Sequence, residues 1–192
     1  MEIQVYRYLE RTKMAGFGWR FCLWVQGCSR RCEGCMAEET WSHSDGVTMC
    51  TKEIWKQITA TPNIEGITFL GGEPFEQAQA VAMLAQKAQA IGLSVLTFTG
   101  FTYEELTFLD HLHFRQLLDA TDLLIDGSFS QKQFDLKRPW VGSSNQQFHF
   151  LSDRYKESDL KGVHNQIEVR IAPNGKTLIN GMGDFSKIKE LL

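Results

Sequence analysis

The chain has 192 residues, with 23 acidic against 20 basic side chains; a formal charge of -3 gives no electrostatic ground for nucleic-acid binding. At 43% hydrophobic and 22% charged it has the composition of an ordinary soluble globular protein, no apolar run approaches the ~20 residues of a bilayer span, and the charged start Met1–Arg7 is no signal peptide. A single domain over residues 1–192, cytoplasmic, is therefore expected, and its odd number of cysteines, five, points to metal or catalysis rather than to a disulfide framework.

Along the chain, Phe21–Gln26 has the continuous apolar character of a buried strand, and a cysteine-rich loop follows it. Thr51 is the expected N-cap of a helix with Ile54 and Ile58 on one face and Pro62 as its stop. Gly66–Leu70 is a second buried strand. A helix is expected from Glu76 to Ile91, with Val81, Leu84, Ala85 and Ala88 on one stripe and Gly92 as C-terminal cap. Ser94–Thr99 is a third strand, and Thr102 with Glu105 forms a capping box for a helix carrying Leu106, Leu109 and Leu117. Asp122–Asp126 is a fourth strand, and Phe148–Leu151 and Ile167–Ile171 are two more candidates. Ala172–Lys176 reads as a turn between two strands, and Ser186–Leu192 as a short terminal helix.

Strand–helix alternation implies parallel strands joined by crossover helices. In such sheets ligands bind at the carboxyl ends of the strands. The unusual sequences all fall there: the cysteines after the first strand, Gly71-Gly72-Glu73-Pro74 after the second, Gly100-Phe101 after the third and Asp126-Gly127 at the end of the fourth.

Cys28, Cys32 and Cys35 lie within eight residues. A closed structural metal site normally takes four protein ligands, whereas a site built for chemistry keeps one position open. Three thiolates on one loop suit a cubane iron–sulfur cluster whose fourth iron is left for a small molecule. The competing reading is zinc, with Cys22, His43 or Cys50 as fourth ligand; none has a compelling spacing, and a cysteine inside a strand is often only a small buried hydrophobe. Gly71-Gly72-Glu73-Pro74 alone is an ordinary strand-to-helix turn. Paired with the cysteine loop it carries more weight. Glycines let backbone carbonyls approach a ligand closely, a carboxylate favours a nearby cation, and proline suits the first turn of the next helix.

The Cys-x-x-x-Cys-x-x-Cys run and Gly71–Pro74 resemble the cluster and S-adenosylmethionine (SAM) motifs of the radical SAM superfamily. Gly18-Trp19-Arg20, Trp24–Cys28, Glu39-Thr40-Trp41, Thr99-Gly100-Phe101, Asp122–Gly127 and Trp140–Gln146 narrow the resemblance to the small glycyl-radical activases that serve anaerobic ribonucleotide reductases. It extends from about residue 10 to residue 183. It implies an α/β fold: a partial, open (β/α)6-type barrel of mostly parallel strands, with a C-terminal β-hairpin extension. It also implies a [4Fe-4S] cluster on Cys28, Cys32 and Cys35, and SAM contacts from Gly34, Met36, Gly71, Gly72, Glu73, Pro74 and Asp126. The implied chemistry is reductive cleavage of SAM to a 5′-deoxyadenosyl radical, which takes hydrogen from a glycine of a large glycyl-radical enzyme. The protein orients the reactants and excludes water, and no side-chain general base is required. An electron donor such as flavodoxin or ferredoxin completes the system.

The chain departs from wider patterns at two points. Gly34 stands where many superfamily members have an aromatic residue, and Ser128 where larger activases have a lysine. Asp122 and Asp126 equally fit a turn carboxylate and a helix cap. Trp140–Gln146 fits a structural closure of the barrel mouth and a contact with SAM or the partner's glycine loop. Trp19, Trp24 and Trp41 flank the cysteine loop as packing that excludes water. Arg20, Arg30 and Arg31 fit a reductase-docking edge or, more simply, a solvated basic one. Two alternatives remain: the same chemistry on a ribosomal peptide or small molecule, and a zinc-binding structural module.

Overall fold

The computed structural model describes residues 1–183, so the helix expected at Ser186–Leu192 lies outside the described residues. In chain order the described elements are β1 (Glu2–Thr12), β2 (Arg20–Val25), β3 (Val47–Cys50), α1 (Thr51–Ala60), β4 (Gly66–Gly71), α2 (Ala78–Ala90), β5 (Ser94–Phe98), α3 (Tyr103–Phe108), α4 (Leu112–Asp119), β6 (Leu123–Asp126), β7 (Gln147–Phe150), β8 (Ile167–Ile171) and β9 (Thr177–Gly181). Seven strands form one sheet in the order β3-β1-β2-β4-β5-β6-β7, and β8 and β9 pair separately as the expected hairpin.

Only β2, β4, β5 and β6 run parallel; β1, β3 and β7 are antiparallel to their neighbours. This corrects the six-unit barrel. Three crossovers, carrying α1, α2 and the α3–α4 pair, join four parallel strands. The segment 127–146 contains no α-helix to bring β7 round in parallel. The sheet ends at β3 and β7, and no closed barrel exists among the described residues. β1 and β3 were not foreseen. Charges at Glu2, Arg7, Glu10 and Arg11 and register shifts between Val5 and Arg7 and between Leu9 and Thr12 hide the two-residue period of β1.

The helices follow their sequence signals with local corrections. Cys50, not Thr51, is the N-cap of α1, its amide donating to Glu53 Oε2 at 3.2 Å. The expected 76–91 helix is a single 3-10 turn, Pro74–Gln77, followed by α2, and Gly92 caps it at a φ of +83°. Thr102 and Glu105 make the expected capping box, Thr102 Oγ1 accepting from the Glu105 amide at 3.1 Å and Glu105 Oε2 from the Thr102 amide at 2.7 Å. The one helix foreseen after it is two. Asp110 at a φ of +43° breaks the run, which leaves Leu106 and Leu117 buried and Leu109 exposed.

Strand alternation sends Phe21, Leu23, Val25, Ile67 and Phe69 toward the helices, where they pack with Ile54, Val81, Leu84, Ala85 and Ala88. Each such fully buried large apolar side chain contributes roughly 1.5–3 kcal/mol. The other face carries Cys22, Trp24, Leu70 and Phe98 in one cluster and Leu96, Leu123 and Ile125 in another. Arg20 lies at the opposite end of the sheet from the cysteine loop, fully buried, which rules it out of any docking edge. Its five N–H donors meet Thr68 Oγ1 (2.6 Å), Ser94 Oγ (2.8 Å) and the carbonyls of Phe17 (3.0 Å), Ser94 (3.1 Å) and Ile67. Neutral acceptors alone hold this cation across the starts of β2, β4 and β5, and burial pushes its pKa down.

Candidate cluster and cofactor site

The cysteine loop leaves β2 and is closed at its base. The Gly27 amide donates to the Thr40 carbonyl (2.8 Å) and the Cys28 amide to the Trp41 carbonyl (3.1 Å). Gln26 Nε2 donates to the carbonyls of Glu39 (3.0 Å) and Ser42 (2.7 Å). Glu76, on the turn after Pro74, holds the loop from outside. Its Oε1 accepts from the Ser29 amide (2.8 Å) and hydroxyl, and its Oε2 stands 2.8 Å from His43 Nε2. These donors hold the Glu76 carboxyl below its ordinary pKa although partial burial acts the other way.

Within the loop the Cys35 amide donates to the Cys32 carbonyl at 3.1 Å, which folds Cys32–Cys35 into a turn. All three thiols are partly buried. Burial pushes the Cys28 and Cys35 thiols up, and N–H groups pull them back: the Arg30 and Arg31 amides toward Cys28, and the Ala37 amide, 3.4 Å from Sγ, toward Cys35. Such donors stabilise thiolate, the form that binds metal.

Gly71 and Gly72 are glycines for a reason visible in the packing. Gly71 has a φ of +101°, and a Cβ on Gly72 would stand 2.2 Å from the Gly27 carbonyl oxygen. The Gly72 amide donates to the Val25 carbonyl (2.9 Å) and the Glu73 amide to that of Gly27 (2.8 Å). The motif is thus laid directly on the backbone that enters the cysteine loop. Glu73 is fully buried. Its Oε1 accepts from the Phe75 amide (3.0 Å) and the Thr99 hydroxyl (2.8 Å), its Oε2 from the Gly100 amide (2.8 Å). It therefore pins the end of β4 to the end of β5, and burial raises its pKa to about 7 despite these donors.

On the sheet face away from the main helices lies a cleft of about 260 Å³. Its floor is Trp24, Leu70 and Phe98, Gly71 stands at the strand ends, and Cys35, Met36 and Ala37 close one side. Phe129, Trp140, Gly142 and Gln146 also line it, so the Trp140–Gln146 loop faces the cleft. Asn180, Gly181 and Met182, from the end of the hairpin, supply another wall, and Tyr6 and Arg7 of β1 the edge.

Of the residues expected to serve the cofactor, Cys35, Met36 and Gly71 share this cleft. Gly72, Glu73 and Pro74 support it from behind. Gly34 is on the exposed side of the loop at a φ of +74°. Asp126 is elsewhere: it lines a separate polar pocket with Arg30, Ser128, Asn145 and His149. Its Oδ2 accepts from the Tyr103 amide (2.6 Å) and lies 2.9 Å from His149 Nε2, while Oδ1 accepts from the Gln147 amide (3.2 Å). That is the helix-cap reading, here for α3. Asp122 is the turn carboxylate, accepting from the Val95 amide (2.7 Å) and the Ser152 hydroxyl (2.6 Å). Arg30 is not a free basic edge either, since it bonds to Ser128 and Glu105 and stacks on Phe101. Arg7, Glu76, Asn180 and Met182 belong to no motif. An arginine between Tyr6 and Tyr8 is the one signal that the sequence offers for them.

The donor set fits a multi-iron cluster. Among the described residues no three His, Cys, Asp or Glu converge on one ion-sized centre. Three soft thiolates spread round one loop suit a larger core, with N–H groups directed at two of the sulfurs. The fourth ligands that zinc would need are engaged elsewhere. Cys22 is fully buried in β2 with its thiol pushed up to about 12, Cys50 caps α1, and His43 is held by Glu76.

Comparison with known proteins finds relatives of this chain. The family described as "4Fe-4S single cluster domain" matches residues 14–149. The anaerobic ribonucleoside-triphosphate reductase-activating protein of Salmonella typhimurium is 32% identical over 161 residues, covering 78% of this chain and 99% of that protein. Its counterparts of the same name in Escherichia coli K12 (34% over 148 residues, 71% and 91%) and enterobacteria phage T4 (32% over 145 residues, 72% and 88%) are similarly related. Among solved structures, QueE from Escherichia coli aligns with 53% of this chain and 54% of its own at 16% identity and a TM-score of 0.44. With most of its length matched by the 4Fe-4S single cluster domain, and nearly the whole of such relatives covered, the chain belongs to the family of anaerobic ribonucleoside-triphosphate reductase-activating proteins.

Proposed function

We propose that this protein is a radical SAM activase acting on a large glycyl-radical enzyme, an anaerobic ribonucleotide reductase, as a single cytoplasmic domain with flavodoxin or ferredoxin as electron donor. The observation that carries the proposal is the meeting of Cys35, Met36 and Gly71 in one cleft at the carboxyl ends of parallel strands. Cys28, Cys32 and Cys35 would hold a [4Fe-4S] cluster. The bound cluster and SAM together supply a one-electron cleavage that gives a carbon radical able to take hydrogen from a glycine.

The chain's own contribution is placement and exclusion. The Gly71 and Gly72 backbone, free of side chains, would receive the SAM ammonium, and buried Glu73 keeps that strand end fixed against β5. Trp24, Leu70, Phe98, Phe129 and Trp140 give the cleft a largely apolar lining. In this reading the open sheet curves about the cleft as a partial barrel, Met36 faces SAM, and Gly34 and Pro74 belong to the loops that support its site.

The test is anaerobic reconstitution with iron and sulfide, followed by dithionite and SAM. Methionine and 5′-deoxyadenosine are expected in equal amounts. A cluster-replete sample that forms neither contradicts the proposal.

A further inference from the structure

Arg7 lies on the cleft edge beside Tyr6 and Trp24, in the same cavity as Cys35 and Gly71. Its guanidinium carbon sits 4.4 Å from the centre of the Trp24 ring and 5.8 Å from that of Tyr6. Stacking of this kind holds the fork flat and leaves its N–H edge free for an acceptor in plane. Yet among the described residues the Arg7 side chain donates no hydrogen bond and forms no ion pair, and its Nε is buried without a partner. Glu39, the nearby carboxylate, instead accepts from the Tyr6 hydroxyl at 3.2 Å. Half-burial pushes the Arg7 pKa down, against a weaker pull from Tyr6 and Glu39, and among the described residues no hydrogen bond compensates it.

An unspent, pre-oriented fork in a cleft suits a carboxylate. In the chemistry proposed above the SAM ammonium would meet Gly71 and Gly72 and its carboxylate the open iron of the cluster, which would leave Arg7, at the cleft edge, for a carboxylate of the entering polypeptide. We propose that Arg7 is a recognition residue for the substrate polypeptide and pairs with a carboxylate, an Asp or Glu side chain, close to the target glycine. This rests on the activase reading and names the chemistry by which that cleft selects its partner.

The experiment uses cluster-loaded enzyme, wild type, Arg7→Met and Arg7→Lys, with SAM and reductant. The probe is a synthetic peptide spanning the glycine-bearing segment of the anaerobic reductase from the same source, with variants in which each Asp or Glu is changed to its amide. Consumption of peptide and affinity for SAM are both measured. Arg7→Met is expected to raise the KM for the peptide at least tenfold, and Arg7→Lys less. One amide variant is expected to cost the wild type a similar factor and to cost Arg7→Met nothing more, the signature of a direct pair. An unchanged peptide KM in Arg7→Met, or amide penalties equal in both enzymes, overturns the inference. So does a tenfold loss of SAM affinity with peptide recognition intact, which assigns the fork to the SAM carboxylate. Failure of the wild type to cleave SAM or to use any peptide defeats the activase reading itself and is seen separately in the wild-type controls.

Discussion

Glu73 has no solvent exposure and a pKa raised from 4.5 to about 7, chiefly by burial. In the unfolded chain it loses its proton near pH 4.5; in the folded chain it keeps it to about pH 7. Between those values the native state holds a proton that the unfolded state has released, so stability falls as pH rises through this window and is level on either side. A displacement of about 2.5 units at 1.36 kcal/mol per unit is worth about 3 kcal/mol in total, and about 2–3 kcal/mol between pH 5 and pH 8. Glu73→Gln removes the titration. Its amide nitrogen faces the Gly100 N–H or the Thr99 and Phe75 donors, at a cost of roughly 1–3 kcal/mol at every pH. The variant is therefore clearly weaker than wild type at pH 5 and close to it at pH 8. Urea unfolding of the cluster-free, reduced chain at pH 5, 6, 7 and 8 measures this, and histidine titrations cancel in the difference between the two proteins. A stability difference that does not change with pH refutes the reasoning.

Arg20→Met leaves buried carbonyl and hydroxyl acceptors without their donor and is expected to cost about 3–5 kcal/mol by urea unfolding; a loss under 1 kcal/mol means that the guanidinium is not holding the strand starts together. Gly72→Ala drives a Cβ to 2.2 Å from the Gly27 carbonyl, so reconstituted iron per chain should fall sharply, while Gly92→Ala, with nothing within 4 Å but a φ of +83°, costs only ~1 kcal/mol and keeps its iron. Glu76→Ala frees Ser29 and His43, and alkylation of Cys28 in the cluster-free chain should speed up several-fold by mass spectrometry; an unchanged rate denies Glu76 its hold on the loop. Cys28→Ala, Cys32→Ala and Cys35→Ala should each abolish the cluster's visible absorbance, and Cys50→Ala should keep it.

The readable parts of the sequence were those where local chemistry and tertiary role coincide. The strands β2, β4, β5 and β6 are apolar on both faces because both faces are buried, and the Thr102–Glu105 box announces a helix that the structure then shows. The cysteine and Gly71-Gly72 motifs were legible because a ligand loop and a close backbone approach each demand particular residues. Elements that owe their form to neighbours were not legible. β1 is bulged and charged, β3 is four residues that pair, among the described residues, only with β1, and Asp110 takes a positive φ at the α3–α4 break. The fold surrounds the Glu73 and Asp126 carboxyls with amide donors, a use that spacing does not reveal. By sequence Arg20 fits a basic edge, because no pattern marks an arginine whose five acceptors come from three separate places in the chain.

The most direct measurement is electron paramagnetic resonance of the anaerobic reductase from the same source after incubation with this protein, SAM and a reductant in the absence of oxygen. A doublet from a carbon-centred backbone radical, present only with the cluster-loaded chain and lost with Cys32→Ala, is the predicted result. A silent reductase in the presence of a reduced, SAM-cleaving cluster contradicts the account.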